Sequence, residues 1–488
     1  MLTKRQEFPI QSKLFLPPIS SSSVQSNLGG RVVTLNGEDK EVICTIQAFY
    51  SRSPNPIEFH LEKVSKMGTA GFMSKWYIGY GHDSIGDSAN DTLFIEGIAD
   101  NEAEDFQNHP LMRLQRASTR MMDFSTVPFI LPVTCNSQHQ KYVESLRTFY
   151  LEAGPILEKH LLQKNNIQLE LMTDPEQREM MANIRAAKFD ILRGFLPAGV
   201  ATNLSCNLSL RSFKDHLFQL RNFPNPRIQE IAATVYTALK EKHPNSFPDF
   251  NRQTLEQTTW QQVFYSNEIL LTPNLNKKPI TIIGSDQENG SNQENESIQV
   301  FSQVNLDLIP PSSRELLRTR PERVQVPKEF NRYGQFSFEF KIDQGSVRDL
   351  KRHNAIQKKS SRLSNEFGFE PWYLEQLPED LRKRAEECIF VPEELKHGLA
   401  PTDIEYFIPM GYRLSFQFSG GLADLIYLLE IRCSDKVHPT LRKHLCKIAK
   451  YFQKEYPDIK LYVNTEPSSF NFGRGKQTIT EKLPVSEK

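Results

Sequence analysis

The spacing of apolar residues along the chain predicts a mixture of strands and helices. Val42, Cys44 and Ile46 alternate with polar residues, and this period of two predicts a strand. Apolar residues three or four positions apart predict helices within about 57–80 and around 143–150. Because both periods occur in one chain, the pattern favours a mixed architecture over an all-helical one.

A further helix has a clear predicted start. Asp174 is the candidate N-cap, Pro175 suits the first helical position, and Glu176 complements the positive end of the helix dipole. The stripe that follows predicts one buried face, at Met180, Ile184, Ala187 and Ile191. Another apolar stripe predicts a helix that ends near His243-Pro244.

Short motifs recur at a nearly constant offset, which predicts an internal repeat. Leu196-Pro-Ala-Gly returns as Ile408-Pro-Met-Gly, Arg221 returns as Arg432, and Pro244, which follows a helical stripe, returns as Pro457. Ser118-Thr-Arg120 and Ser360-Ser-Arg362 are further apart than these three pairs, so the second copy would lack roughly 30 residues between its landmarks. The alternative is that two amphipathic helices resemble each other by chance.

Composition narrows the range of functions. The 488 residues have a formal net charge of zero, which argues against a general electrostatic role on nucleic acid. No apolar stretch has the length of a membrane span, and the basic N-terminus lacks the apolar core of a secretory signal. The six cysteines are scattered, so neither a zinc site nor a disulfide framework is expected, and the cytoplasm is the predicted location.

These patterns predict an α+β chain with two tandem repeats. Residues 1–37 are expected to be a flexible arm and residues 466–488 a flexible tail. The first repeat is predicted at 38–250 and the second at 324–465. Between them, 251–323 is predicted to be a linker with a polar, low-complexity segment.

Several segments of the first predicted repeat resemble the flavin-dependent thymidylate synthase family. The stretch Tyr80-Gly-His-Asp-Ser-Ile-Gly-Asp-Ser88 resembles its Gly-His-Glu-Ser segment, and Phe94-Ile-Glu-Gly-Ile98 resembles its Phe-x-Ile-Glu-Gly strand. The stretch from Asn108 to Arg120 lies over the signature that reads Arg-His-Arg, then Ser, then Ser-x-Arg. Arg193-Gly-Phe-Leu-Pro197 and His216–Arg221 are similar to two further family motifs. The chain thus resembles a long, two-copy member of this family. The resemblance implies thymidylate-synthase-complementing-protein-like repeats, each a curved antiparallel sheet with packed helices.

The second predicted repeat carries a partial set of the same motifs. Phe336-Ser-Phe-Glu-Phe340 resembles the family's Phe-Thr-Phe strand, and Arg352-His353 resembles its Arg-His-Arg with a spacing two residues short. Both copies depart from the family pattern. In the first copy, Asn108 and Pro110 stand where the family's Arg-His-Arg motif has its two arginines. In the second copy Glu405 stands where the Leu-Pro motif has its arginine.

The resemblance implies an enzyme that converts dUMP to dTMP with methylenetetrahydrofolate, FAD and NADPH. It also implies a homodimer, in which two chains with two repeats each would take the place of the family's four subunits. No membrane or nucleic-acid partner is expected, and the resemblance assigns no catalytic side chain and no metal ligand. Candidates for binding the nucleotide are Ser118, Arg120, Arg193, Arg221, Arg362 and Arg432. Candidates for binding the flavin are His82, Ser84, His109, Arg352 and Ser360.

Each candidate residue has a structural alternative. Ser118 and Arg120 would also suit a helix cap and a surface carboxylate, and Arg193 would suit the negative end of a helix dipole. Arg352 belongs to a run of basic residues, which is typical of a solvated face. The alternatives for the whole chain are an inactive paralogue that binds a nucleotide, flavin or protein partner, and a purely structural scaffold.

Overall fold

The computed structural model describes residues 20–25, 31–36, 39–120, 122–248, 280–282, 297–322 and 324–466. The chain divides into two compact units. The first comprises 1–93, 207–223 and 229–260, and the second comprises 94–206, 224–228 and 261–488. Most of the predicted arm, linker and tail lies outside the described residues.

The first unit begins with a pair of strands. β1 (Ser20–Gln25) runs antiparallel to β2 (Arg31–Asn36), in the segment for which the sequence predicts a flexible arm. Alternation in β2, where Val32 and Leu35 are separated by Val33 and Thr34, is weak, and this is why the pattern gives little sign of a strand.

The segment predicted as a strand at Val42–Ile46 is a helix, and this prediction is wrong. Helix α1 (Lys40–Tyr50) begins after Asp39, whose carboxylate accepts hydrogen bonds from the backbone N–H groups of Glu41 and Val42. Val42 and Ile46 share one helical face and pack with Val64 in a small apolar core. The N-cap and this contact decide the conformation, since the short alternating stretch fits a helical face equally well.

Helices make up much of the remainder of the first unit, as the sequence predicts for residues 57–80. α2 (Ile57–Met67) and α3 (Ala70–Phe72) lead into a π-helix at Met73–Gly79 and a 3₁₀ turn at Asp83–Ser88. Helices α7 (Leu210–Leu220) and α8 (Pro226–Lys242) follow later in the chain, after the three-stranded sheet described below.

The strands β3 (Asn90–Ala99), β4 (Arg113–Arg116) and β5 (Ala201–Ser209) form a sheet in the order β3-β5-β4. The boundary between the two units falls within β3 and β5. Between these strands lie α4 (Asp100–Phe106), α5 (Ser137–Lys164) and α6 (Asp174–Leu192). The predicted start of α6 is one residue late, because Thr173 rather than Asp174 is the N-cap and Glu176 bonds back to it.

A five-stranded sheet forms the centre of the second unit. Its order is β6-β7-β8-β10-β9, and every neighbouring pair is antiparallel. The strands are β6 (Ile280–Ile282), β7 (Ile298–Val304), β8 (Gly334–Asp343), β9 (Gln357–Ser360) and β10 (Arg413–Gly421). The predicted strand at Phe336–Phe340 is confirmed as part of β8.

Helices pack around this sheet and bury its phenylalanines, among them Phe336, Phe338, Phe340, Phe416 and Phe418. They are α9 (Pro311–Thr319), α10 (Gln344–Leu350), α11 (Pro371–Glu375), α12 (Glu379–Ile389), α13 (Pro401–Ile404), α14 (Leu422–Arg432) and α15 (Pro439–Glu455). The fold is therefore a mixed α+β arrangement with antiparallel sheets. No described helix combines the length and apolar character needed to cross a membrane.

The segments 194–199 and 406–411 form a reciprocal backbone pairing. Ala198 donates to the carbonyl of Ile408 at 2.9 Å, and Met410 donates to that of Leu196 at 2.8 Å. Outside these bonds, Gly199 donates to the Tyr406 carbonyl and Gly411 to the Gly194 carbonyl, both at 2.7 Å. Each bond therefore has a counterpart in which the two segments exchange the roles of donor and acceptor. The two Pro-x-Gly motifs that recur in the sequence are thus in direct contact.

The glycines of these motifs are required by close approach of the backbones. A Cβ atom on Gly199 would press against the carbonyl oxygens of Ile130 and Tyr406, and one on Gly411 against Phe369 and the Gly194 carbonyl. Backbone atoms cannot swing aside as a flexible side chain can. The glycine of each motif therefore has a steric reason that is independent of any ligand.

Several elements on the two sides of this pairing have the same lengths, although α5 and α6, with 28 and 19 residues, have no equal counterparts. β3 and β8 have ten residues each, and the helices that follow them, α4 and α10, have seven each. β5 and β10 have nine each, and α8 and α15 have seventeen each. The two sets of elements follow in the same order along the chain.

The match of elements corrects the register that the sequence motifs suggest. β4 and β9 have four residues each, and aligning them residue by residue places Ser118 opposite Arg362. The predicted pairing of Ser118-Thr-Arg120 with Ser360-Ser-Arg362 is therefore out of register. The same alignment places His109 opposite His353, with no residue missing between the preceding helix and the histidine.

We expect Gly199→Ala and Gly411→Ala each to lower the free energy of unfolding by about 2 kcal/mol or more, since the added methyl group meets backbone atoms. Gly71→Ala is the matched control, because a Cβ there meets no atom within 4 Å and the residue lies in a helix. Chemical denaturation of the three variants would measure the difference. Equal stability of all three would contradict the close approach.

Candidate functional site

Arg120 forms a bidentate pair with a carboxylate that the sequence did not single out. Its Nε and Nη2 atoms donate to the two oxygens of Asp190, at 2.6 and 3.0 Å. Asp190 lies near the end of α6 and is buried, whereas Arg120 is partly exposed. The guanidinium therefore sits at a fixed position with one edge towards solvent.

Arg193, which directly follows α6, is buried and 2% exposed. Its Nη2 donates to Ser346 Oγ at 3.1 Å, and its Nε donates to the hydroxyl of Tyr373 at 3.3 Å. The Tyr373 hydroxyl in turn donates to Asp343, whose carboxylate lies 3.8 Å from Arg193 Nη2. Arg193 is thus held by residues that lie far along the chain from it.

A chain of hydrogen bonds connects Arg193 with Asp190. Ser346 Oγ lies 2.6 Å from Thr440 Oγ1, and Thr440 Oγ1 lies 2.8 Å from Nδ1 of His438. His438 Nε2 is 3.2 Å from the backbone carbonyl of Asp190. Burial and the nearby Arg193 hold the pKa of His438 well below its usual range. The ring is therefore neutral and adds no charge between the two arginines.

Two further arginines lie beside Asp349, at the end of α10. Arg352 Nη2 is 3.4 Å from the Asp349 carboxylate, and Arg432 Nη2 donates to the Asp349 backbone carbonyl at 3.0 Å. Arg432 Nε also lies 2.7 Å from Nε2 of His353. We refer to Arg120, Arg193, Arg352 and Arg432, grouped around Asp349, as the basic cluster.

The charges of the basic cluster act on Asp349. Burial alone would raise the pKa of this carboxyl, but Arg193 and Arg352, then Arg120 and Arg432, outweigh it and hold the pKa below its ordinary value. Burial and Arg432 together lower the pKa of His353 to about 3. The basic cluster therefore brings four arginines together with three acidic side chains (Asp190, Asp343 and Asp349) and with two histidines whose lowered pKa keeps them neutral.

The basic run around Arg352 is only partly a solvated face, since Arg352 is exposed and Arg348 is not. Arg348 is buried, and it donates to Thr119 Oγ1 at 2.7 Å and to the Ala117 carbonyl at 2.8 Å. Its Nη2 also lies 3.1 Å from Asp100, and burial lowers the pKa of Arg348 to about 9. Arg348 therefore ties the segment that contains Ser118 to helix α10.

A second group of charges is dominated by carboxylates, and we refer to Glu102, Glu104, Asp105 and Glu405 as the acidic cluster. Glu104 lies 2.7 Å from Lys351 Nζ and accepts a bond from Gln344. Glu102 accepts a bond from Tyr406 and pairs with Arg227.

Glu405 occupies this acidic cluster with Arg362, one of the predicted nucleotide ligands. Arg362 Nη1 lies 3.1 Å from Glu405 Oε2, and the backbone N–H of Leu363 donates to Oε1 at 3.1 Å. Burial raises the pKa of Glu405 to about 7, despite Arg362, and burial likewise raises the pKa of Asp105 to about 6. Arg362 is therefore separated from the basic cluster in its contacts and balances a carboxylate.

The remaining predicted ligands are dispersed. In the first unit, the ring centroid of His82 lies 5.7 Å from that of Trp76 and 6.3 Å from that of Tyr80. Ser84 is exposed in the turn 83–88, and Arg221 directly follows α7. In the second unit, Ser118 accepts a weak bond from the Arg120 backbone, and His109 Nδ1 accepts one from Leu111. Ser360 is the last residue of β9, opposite Phe416.

Several polar residues of the cluster were missed by the sequence reasoning, namely Asp190, Asp343, Ser346, Asp349, Tyr373, His438 and Thr440. One local signal exists, because Asp343 caps α10 by accepting a bond from the Ser346 backbone, which marks a helix start after a strand. The others meet Arg120 or Arg193 only through contacts far apart in sequence. Within the described part of the chain, no group of three or more His, Cys, Asp or Glu residues is placed to hold a metal ion.

The raised pKa of Glu405 predicts a specific dependence of stability on pH. A carboxyl that binds its proton more tightly in the folded than in the unfolded chain stabilises the fold at low pH, and this contribution is lost as pH rises through the folded pKa. Between about 4.5 and about 7 the free energy of unfolding should therefore fall. Glu405→Gln should reduce this fall by an amount on the order of 2 kcal/mol.

Urea denaturation at pH 5 and pH 8 would measure this change in the variant and the wild type. Glu394→Gln, at an exposed position of the same part of the chain, is the control and should leave the difference between the two pH values unaltered. An identical pH dependence in Glu405→Gln and the wild type would show that Glu405 ionises as an ordinary carboxyl.

The first part of the chain is similar to a known protein family. Residues 31–245 match the family model of the thymidylate synthase complementing protein. Solved structures of flavin-dependent thymidylate synthase from Helicobacter pylori, complexed with FAD and dUMP, are similar at 15% and 16% identity, with TM-scores of 0.27 and 0.29. Each covers 43% of this chain, and the alignment takes in 95% of the solved chain.

Curated relatives are distant. A UPF0159 protein of Thermoplasma acidophilum is 22% identical over 302 residues, and one of Chlamydia muridarum is 23% identical over 345 residues. The alignments cover 58% and 63% of this chain, and the chain spans only 60% and 64% of the length of these two relatives. The match over 31–245 and the motifs that lie in it make this part of the chain similar to the thymidylate synthase complementing protein family.

Proposed function

We propose that the chain is an FAD-dependent, thymidylate synthase-like protein that methylates dUMP to dTMP with methylenetetrahydrofolate and NADPH. The observation that carries this proposal is the basic cluster. Its arginines come from two distant segments, 120–193 and 352–432, and have more positive than negative charge among them. A nucleotide phosphate is bound best by fixed guanidinium groups of this kind.

The accessible part of the cluster is where the phosphate would bind. Side chains of Arg120 and Arg352 are 17% and 38% exposed, and Arg193 is buried beneath them. Arg193 already has Ser346, Tyr373 and Asp343 as partners, so its role would be to fix the site and to add positive charge. Arg120 would donate directly to phosphate oxygens, and so would Arg352, which the sequence resemblance assigned to the flavin but whose contacts lie with the nucleotide candidates Arg193 and Arg432 around Asp349.

We further propose that the chain is a tandem repeat, with 38–250 and 324–465 as its copies. Equal element lengths support this, as does the sheet order, which is β3-β5-β4 in one set and β8-β10-β9 in the other. The reciprocal bonds between 194–199 and 406–411 are those expected about a two-fold axis. Two chains would then imitate four copies, and a homodimer in the cytoplasm remains the prediction.

The residues present fit a flavin in part. When bound, FAD reduced by NADPH supplies the hydride that completes the methyl group. In the first unit, Trp76 and Tyr80 stack with ring centroids 5.1 Å apart, and both rings are partly exposed next to His82. Exposed aromatic faces suit a planar ring system, and a π-helix such as Met73–Gly79 occurs frequently at functional sites.

The second candidate is an inactive paralogue that still binds a nucleotide. Glu405 and Asn108 stand where the family motifs have arginines, and Pro110 also lacks a backbone donor. This candidate predicts that dUMP binds but is not turned over. The two candidates therefore share the binding site and differ in chemistry.

We expect the purified protein to be yellow and to bind dUMP, and expect the double variant Arg120→Ala/Asp190→Asn to bind dUMP about tenfold more weakly. The second substitution avoids a buried, unpaired carboxylate and so protects the fold. Arg178→Ala removes an exposed arginine of the same helix, α6, and is the matched control. Absorbance, isothermal titration and thermal unfolding would be measured on all three proteins.

Release of tritium from C5-labelled dUMP then separates the two candidates. Release that requires methylenetetrahydrofolate and NADPH supports the enzyme, and tight binding without release supports the inactive paralogue. A colourless protein that does not bind dUMP at high micromolar concentration would contradict both.

A further inference from the structure

The basic and acidic clusters occupy matched positions of the fold. Arg193 and Glu405 correspond when β5 is aligned with β10, and each is the first residue of a 3₁₀ turn that leads into the paired segments. Both are buried, at 2% and 6% exposure. Asp349 and Asp105 correspond when α10 is aligned with α4, and each is the last residue but one of its helix.

Each of these two 3₁₀ turns places a charged side chain beside a helix of the other set of elements. Arg193 donates to Ser346 of α10 and acts on the charge of Asp349, whereas Glu405 acts on the charge of Asp105, next to α4's other carboxylates. The charge interaction is therefore attractive between Arg193 and Asp349 and repulsive between Glu405 and Asp105. Burial opposes the charge of both aspartates, and neighbouring arginines outweigh it at Asp349, where the pKa is lowered, but not at Asp105, where it is raised.

The inversion of charge extends along both helices. In the alignment of α10 with α4, Ser346, Arg348 and Arg352 correspond to Glu102, Glu104 and Asn108. The cations around the acidic cluster are paired with carboxylates, namely Lys351 with Glu104, Arg362 with Glu405, Arg227 with Glu102, and Arg116 with Asp100 and Glu104. An incoming anion would have to break these ion pairs and leave carboxylates without their cations.

We infer that the chain has one binding site for a phosphate monoester, at the basic cluster, and that the matched position at the acidic cluster is closed to anions. The inference rests on the proposed function in taking the ligand to be a nucleotide monophosphate. Two motif copies in one chain would thus provide one site rather than two. The residue that distinguishes them at the surface is Arg352, which is exposed at its guanidinium, against exposed Asn108.

The test is the number of ligands bound per full-length chain, with dUMP and inorganic phosphate as the two probes in low-salt buffer. Isothermal titration should give one equivalent of dUMP. Arg352→Asn, which copies the matched residue, should weaken binding about tenfold, since one charge-assisted hydrogen bond is lost. Asn108→Arg and Glu405→Gln should leave both the stoichiometry and the affinity of the wild type. Thermal unfolding would establish that each variant is folded.

The outcomes separate this inference from the proposed function. Two equivalents per chain, or lost affinity in Glu405→Gln with Arg352→Asn unaffected, would overturn the inference and leave a nucleotide-binding function in place. One equivalent of phosphate that depends on Arg352, without any binding of dUMP, would support the single anion site and refute the uridine nucleotide. If neither probe binds to the folded wild type, both are refuted.

Discussion

Four backbone hydrogen bonds between the segments 194–199 and 406–411 hold together the parts of the chain from which the basic cluster is built. Arg193 directly precedes one segment, and its partners Ser346 and Tyr373 belong to elements that pack with the other. Because Gly199 and Gly411 allow the two backbones to approach, the turns on either side are fixed with respect to each other. The buried arginine then has partners that no local sequence could supply. A lost glycine would therefore disturb the fold and the candidate site together.

Charge, rather than backbone geometry, distinguishes the two ends of this arrangement. Elements of equal length place Arg193 and Glu405 in corresponding turns, and the pKa values of the neighbouring aspartates shift in opposite directions. A buried group of like charges is costly unless protons or ion pairs relieve it. In the acidic cluster, Arg362, Lys351 and Arg227 provide that relief. If the two sets of elements are the proposed repeats, a change of charge in one of them would preserve the backbone and restrict the proposed binding to the other.

The sequence predicted those features that depend on local geometry. The Pro-x-Gly motifs were found because a steric constraint recurs, and the helices at 137–164, 174–192 and 226–242 because a buried stripe recurs. The helix at Lys40–Tyr50 was missed, since three alternating apolar residues fit a strand and a short helix equally well. The site was predictable only in part, since Arg120, Arg193, Arg352 and Arg432 were chosen from motifs and do meet around Asp349. Arg362 was chosen in the same way but lies with Glu405, because the alignment of β4 with β9 matches Arg362 to Ser118 and not to Arg120. Single residues of a site are thus visible in the sequence, whereas their grouping and net charge are set by the tertiary fold.

The most direct test of the account is a crystal structure of the full chain with bound dUMP. We expect one nucleotide per chain, with its phosphate oxygens within hydrogen-bond distance of Arg120 and Arg352. The backbone hydrogen bonds between 194–199 and 406–411 should be intact. A phosphate bound among Glu102, Asp105 and Glu405, or a nucleotide bound without any contact to these arginines, would contradict it.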